Sequence, residues 1–66
     1  MKTYQIRKIA RSAGAVDFKV LKGKSMRWIA CYSATNKEQA SMLAKMRAAG
    51  LNAEIGHFGN QVDVLL

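Results

Sequence analysis

Apolar residues recur along this chain with two different periods, and each predicts an element. Over residues 37–49 the spacing is helical. Projected at about 100° per residue, Ala40, Leu43, Ala44 and Met46 gather on one side, widened by Met42 and Ala49, while Lys37, Glu38, Ser41 and Lys45 gather opposite. Thr35-Asn36-Lys37-Glu38 fits a capping box, in which a hydroxyl and a carboxylate satisfy reciprocal backbone donors at the helix start. Gly50 ends the helix, because glycine takes the left-handed position after the last turn at little steric cost. Arg47 falls inside the apolar arc near the C-terminal end, where its stem packs while the guanidinium reaches water and the last carbonyls.

A period of two governs the flanking segments. Val16-Asp17-Phe18-Lys19-Val20 alternates strictly, residues 26–33 form a longer run of strand formers, and Lys22-Gly23-Lys24-Ser25 between them reads as a hairpin loop. Register decides which side chains meet the core. Paired residue numbers with an even sum put Trp28, Ala30 and Tyr32 beside Val16, Phe18 and Val20; an odd sum puts Ile29 and Cys31 there instead. The expectation is the even register, with Trp28 inside. After the helix, residues 51–58 and 61–66 flank Gly59-Asn60, a dipeptide suited to the positive φ angles of a two-residue turn. Pairing Phe58 with Gln61 places Ala53, Ile55, Val62, Val64 and Leu66 on one face with His57, and Phe58 on the other. Residues 3–10 carry both periods, since Tyr4 and Ile6 alternate as in a strand while Ile6, Ile9, Ala10 and Ala13 have helical spacing. The strand reading is adopted. The order β-β-β-α-β-β then defines an α+β domain in which an antiparallel sheet of about five strands packs on one helix.

Length and composition narrow this picture. With 66 residues, half of them apolar and none proline, the chain forms a single domain over residues 1–66 and buries roughly 60% of the surface its unfolded chain exposes. A chain this short gains from burying a second surface, so a homodimer through an edge strand or the Met42–Ala49 side of the helix is an open alternative. No apolar run is long enough to cross a bilayer or follows the basic N-terminus as a secretory signal would, so a cytoplasmic protein without a membrane partner is expected. The single cysteine, Cys31, lies in an apolar run, where a small buried thiol is the usual reading.

Charge changes the picture more than composition does. The formal net charge is +7, and its distribution is uneven. Residues 1–27 hold Lys2, Arg7, Lys8, Arg11, Lys19, Lys22, Lys24 and Arg27 against Asp17 alone; beyond them Lys37, Lys45 and Arg47 balance Glu38, Glu54 and Asp63. An acidic partner is therefore expected to meet the N-terminal elements.

Catalytic chemistry is poorly supplied. Acid–base and hydrolytic enzymes need two or more positioned titratable groups, and this chain offers one histidine, one cysteine and four acids. A Cys31–His57 dyad would need both side chains on the core face, where a lone histidine is more often a packed residue. Structural zinc takes four Cys or His ligands, and two exist. Neither enzyme activity, cofactor nor metal is expected. Gly23-Lys24-Ser25 matches the end of a phosphate-binding P-loop, but Phe18 occupies the earlier glycine position and no helix start follows. Gly56-His57-Phe58-Gly59 matches the glycine pair of the KH phosphate clamp, yet that loop joins helices and this one enters a hairpin.

The apolar strand into Ser33, Glu38-Gln39-Ala40, Leu43, Gly50 and Ala53-Glu54-Ile55 together resemble one strand–helix–strand half of the SPOR family of peptidoglycan-binding domains. The resemblance covers under half the chain. Its residues are those any strand–helix–strand unit needs, and the second half-repeat and the strand glutamine are missing, so it implies a shared fold pattern and no function.

The basic half reads as a surface for nucleic acid or a nucleoprotein complex. Arg7, Lys8, Arg11, Lys19, Lys22, Lys24 and Arg27 would neutralise phosphates and release counterions. Tyr4, Phe58 or, in the odd register, Trp28 are candidates for base stacking. The alternative is an inhibitor or adaptor docking the same cations on an acidic protein surface. In size and composition the chain looks like phage-encoded accessory proteins, anti-CRISPR inhibitors among them. The plainest reading is a basic domain whose lysines only keep it in solution.

Overall fold

The computed structural model describes residues 1–66. The chain folds as a small α+β domain with two helices and a four-stranded antiparallel sheet: α1 (Thr3–Ser12), β1 (Ala15–Lys22), β2 (Arg27–Ser33), a single 3-10 turn (Asn36–Glu38) running into α2 (Gln39–Ala48), β3 (Ala53–Ile55) and β4 (Gln61–Leu65). Spatial strand order is β1-β2-β4-β3. Both helices cover one face of the sheet. Ile6 and Ala10 of α1 and Met42 and Met46 of α2 join Ile29 and Cys31 of β2, Val62 and Val64 of β4 and Ala53 of β3 in a single core.

The first segment is a helix and not the expected strand, which removes one strand and adds one helix. Its alternation covers only Tyr4 and Ile6, whereas Ile6 and Ala10 are four apart on the side that meets the core. The Gln5 side chain accepts a hydrogen bond from the Lys2 amide at 2.8 Å, occupying a donor at the helix start. At the other end Gly14 takes φ +118°, a region that favours glycine and turns the chain into β1.

The first hairpin adopts the odd register, with Phe18 opposite Cys31, Lys19 opposite Ala30 and Val20 opposite Ile29. Trp28 therefore points away from the helices, contrary to the expectation from the alternation of β1 alone. The deciding constraint is β4, which pairs Ile29 with Val64 and Cys31 with Val62. That alignment gives the helices a continuous strip of Ile, Cys and Val to cover, and a one-residue slip would have exposed all of it. An irregularity between Ala15 and Asp17 leaves Val16 exposed while Ala15 turns into the core.

The capping box forms as expected: the Glu38 carboxylate accepts hydrogen bonds from the Thr35 amide and hydroxyl. These bonds hold the Glu38 carboxyl below its ordinary range. Gly50 ends the helix region with φ +90°. The buried face of α2 is rotated from the expected one. Met42 and Met46 are fully enclosed, Gln39 and Leu43 are half-buried, and Ala40, Ala44 and Ala49 face solvent. Alanines contribute little area, so the two methionines set the helix rotation. Arg47 is exposed, and its Nε donates to the Ala53 carbonyl at 2.9 Å rather than to the helix end.

The second hairpin keeps the expected face assignment for Ala53, Ile55, Val62 and Val64, with register Ala53 to Val64 and Ile55 to Val62. Its loop is longer than two residues, and Gly59 and Asn60 do not take positive φ. Gly56 is the loop glycine needed for room, because a Cβ there would lie 2.4 Å from Cγ of the buried Gln61 side chain. The loop is anchored from outside: Gln39 Nε2 donates to the carbonyls of Phe58 and Gln61 at 3.0 and 2.9 Å, and Asn60 Nδ2 donates to the Ser33 carbonyl at 2.8 Å. Within it the expected turn still forms, since the Gln61 amide donates to the Phe58 carbonyl at 2.9 Å across Gly59-Asn60, with negative φ angles in place of positive ones.

Candidate anion-binding groove

Strand β1 runs back alongside α1, which brings the β1–β2 loop to the amino end of the helix. A groove of about 720 Å³ opens there between Lys2 and Thr3 on one side and the stretch from Lys22 to Arg27 on the other. Lys2, Lys22, Lys24 and Arg27 line it, together with the hydroxyl residues Thr3 and Ser25, and no acidic side chain does. The amino end of α1 adds the partial positive charge of its unpaired amides. Lys22 and Arg27 stand directly opposite each other across the hairpin. Like charges in that position cost roughly 0.2–1 kcal/mol, a local penalty that an anion in the groove would relieve. The loop itself is tight: the Gly23 amide donates to the Met26 carbonyl at 2.8 Å.

The cations of the N-terminal half do not form one surface. Lys22, Lys24 and Arg27 meet in the groove. Lys8 and Arg11 lie exposed on α1, with the Arg11 guanidinium carbon 5.3 Å from the centre of the Phe18 ring. Arg7 is half-buried, and its Nε is enclosed without a hydrogen-bond partner. Lys19 sits on the helix-free face of the sheet, opposite Ala30. Lys2, absent from the cations assigned to binding on sequence grounds, is part of the groove. The signal that could have found it was the helical spacing of Ile6, Ile9 and Ala10, because only a helix carries Lys2 to the loop.

The three stacking candidates are likewise dispersed. Tyr4 is exposed on α1 and Phe58 on the β3–β4 loop, while Trp28 is half-buried on the helix-free face. That face holds Asp17, Glu54 and Asp63, three of the four acids of the chain, with Lys19 as its one cation. Trp28 and Tyr32 thus lie on a surface of net negative charge, which repels phosphates. The groove and not the sheet face carries the positive potential.

Cys31 and His57 are not brought together. Cys31 is fully enclosed in the core, where burial and, secondarily, Asp63 push its thiol up to about 12. His57 stands exposed in the β3–β4 loop. No helix is long and apolar enough to cross a membrane.

The fold thus defines a two-layer α+β domain of order α-β-β-α-β-β with helices on one face only. No protein-family model, curated protein or solved structure matches the chain.

Proposed function

We propose that the protein is a binding module that grips nucleic acid by its phosphates through the groove between the amino end of α1 and the β1–β2 loop. The observation that carries this reading is the convergence of Lys2, Lys22, Lys24 and Arg27 on one groove without an acidic side chain. Four cations in one concavity neutralise several consecutive phosphates and read backbone rather than base sequence. Lys8 and Arg11 extend the positive field along the exposed side of α1.

Fluorescence anisotropy with single-stranded and duplex oligonucleotides over a salt series tests it. About four phosphate contacts give a slope of log affinity against log salt near −3 to −4. Replacing Lys22 and Lys24 with alanine should roughly halve that slope, whereas replacing Lys37 and Lys45 should leave it unchanged. Absence of binding to DNA and RNA at low salt would refute the reading, as would a slope insensitive to the groove substitutions.

A further inference from the structure

The helix-free face of the sheet is a grid with a definite charge pattern. Its central row runs across all four strands as Lys19, Ala30, Asp63 and Glu54. On one side of it lies the apolar row Leu21, Trp28 and Leu65, and on the other Asp17, Tyr32 and Gln61. The β3–β4 loop covers one corner, where Gly56 lies against the buried Gln61 side chain, and no helix covers the rest, because both pack on the other face. Trp28, Leu21, Leu65 and Tyr32 are nevertheless half-buried, and Ala30 is fully enclosed between its larger neighbours.

We propose that this face is a homodimer interface, formed with a second copy about a two-fold axis that lies between the sheets and runs parallel to the strands. Charge complementarity between the two copies favours this arrangement. Glu54 stands directly opposite Asp63, an unfavourable like-charge pair. Lys19 is three strand spacings from Glu54, roughly 14 Å between backbones, too far for a side-chain ion pair within one chain. A two-fold axis parallel to the strands reverses the order across the row while keeping the position along the strands. It sets Lys19 of each copy over Glu54 of the other, twice by symmetry, and Trp28 of each copy over the other's Leu65. An axis across the strands would instead face Lys19 with Lys19 and Glu54 with Glu54, so the pattern selects one of the two arrangements. The strands of the two copies then run nearly aligned, as in face-to-face sheet packing.

The size of the face sets the strength. Four strands of about six residues cover roughly 19 by 20 Å, or about 400 Å² on each copy, below the ~800 Å² per partner of a standard stable interface. The dimer is therefore weak and depends on concentration. Position along the strands is preserved by the axis while strand order is reversed, so both basic grooves lie at the same end of the dimer but on opposite edges.

Sedimentation velocity from about 10 μM to about 1 mM, with the emission of Trp28 followed in parallel, tests the proposal without nucleic acid. Trp28 is the only tryptophan, so its emission reports this face alone. The mass should rise from monomer to dimer as Trp28 emission shifts to the blue. Lys19→Glu and Glu54→Lys should each raise the dissociation constant about tenfold or more, the double exchange should restore dimerisation, and Lys24→Glu should leave it intact. Far-UV circular dichroism confirms that each variant is folded. A chain that stays monomeric at the highest concentration overturns the proposal, and so does a dimer that survives Lys19→Glu or is not restored by the double exchange. Either result leaves the groove reading standing on its own salt-dependence test.

Discussion

The odd register of the first hairpin can be tested by truncating two neighbouring residues that it sends to opposite faces. Ile29 is fully enclosed beneath the helices, while Trp28 is half-buried on the uncovered face. Ile29→Ala removes about three methylene equivalents, a transfer loss of ~2.4 kcal/mol. The cavity left in the core beside Val64 brings the total to about 3–4 kcal/mol, within the range measured for such truncations. A domain of this length has a stability of only ~3–10 kcal/mol, so the loss is a third of the total or more. With a urea dependence near 1 kcal/mol per molar for so small a chain, the unfolding midpoint should fall by roughly 3 M, or the variant should be unfolded in buffer. Trp28→Ala deletes a much larger side chain, and a buried tryptophan would cost about 3–5 kcal/mol. On the uncovered face it should cost the monomer roughly half that or less. Urea unfolding of both variants at low micromolar concentration, followed by circular dichroism, measures the two losses on the same scale. A Trp28→Ala variant less stable than Ile29→Ala would refute the register and, with it, the placement of Trp28 outside the core.

Further consequences concern individual groups. The Glu38 carboxyl is held below its ordinary range by the Thr35 hydroxyl and amide. A carboxyl lowered on folding stabilises above its unfolded value, and that contribution disappears as pH falls through the ordinary and then the lowered range. Glu38→Gln should therefore flatten the acid side of a plot of stability against pH, and an unchanged slope would contradict the capping geometry. The Cys31 thiol is raised from an ordinary 9.0 to about 12, so its contribution is intact below pH 9 and is lost as pH rises above it. Cys31→Ala should remove part of the alkaline loss of stability. In the native wild type, iodoacetamide should label Cys31 far more slowly than in urea, and rapid native labelling would show that the thiol is accessible. Arg7 holds an enclosed Nε without a partner, so Arg7→Met, which keeps the stem and removes the unsatisfied donor, should change thermal stability by less than about 1 kcal/mol or raise it. A loss of 2 kcal/mol or more would mean that the guanidinium makes bonds the geometry does not show.

Local signals in the sequence were sufficient where a few neighbouring residues settle the matter. Thr35 and Glu38 define a cap because both partners lie within one turn, and Gly50 ends the helix through its own backbone freedom. The faces of β3 and β4 needed only a period of two, whereas the irregularity between Ala15 and Asp17 interrupts the alternation of β1 and leaves Val16 exposed. The excess of cations in the first 27 residues was also plain, and with it an expected acidic partner.

Three features depended on contacts between segments distant in sequence. Residues 3–10 carried two periods at once, and the choice between them lay with the surface that Ile6 and Ala10 could bury against the sheet and α2. The hairpin register was undetermined by the hairpin itself; the pairing of Ile29 with Val64 and of Cys31 with Val62 selected it, because only that slip buries the apolar residues of both strands together. The split of the charge was the third. Lys19 and Lys22 are three apart in one strand, yet strand pleating sends them to opposite faces, while an α-helical first segment carries Lys2 to the far end of the same hairpin. Sequence thus determined how much positive charge the N-terminal half holds, and only the tertiary structure sorted it into a cationic groove and an acid-rich sheet face, since side-chain direction follows from pairing and packing rather than from order along the chain.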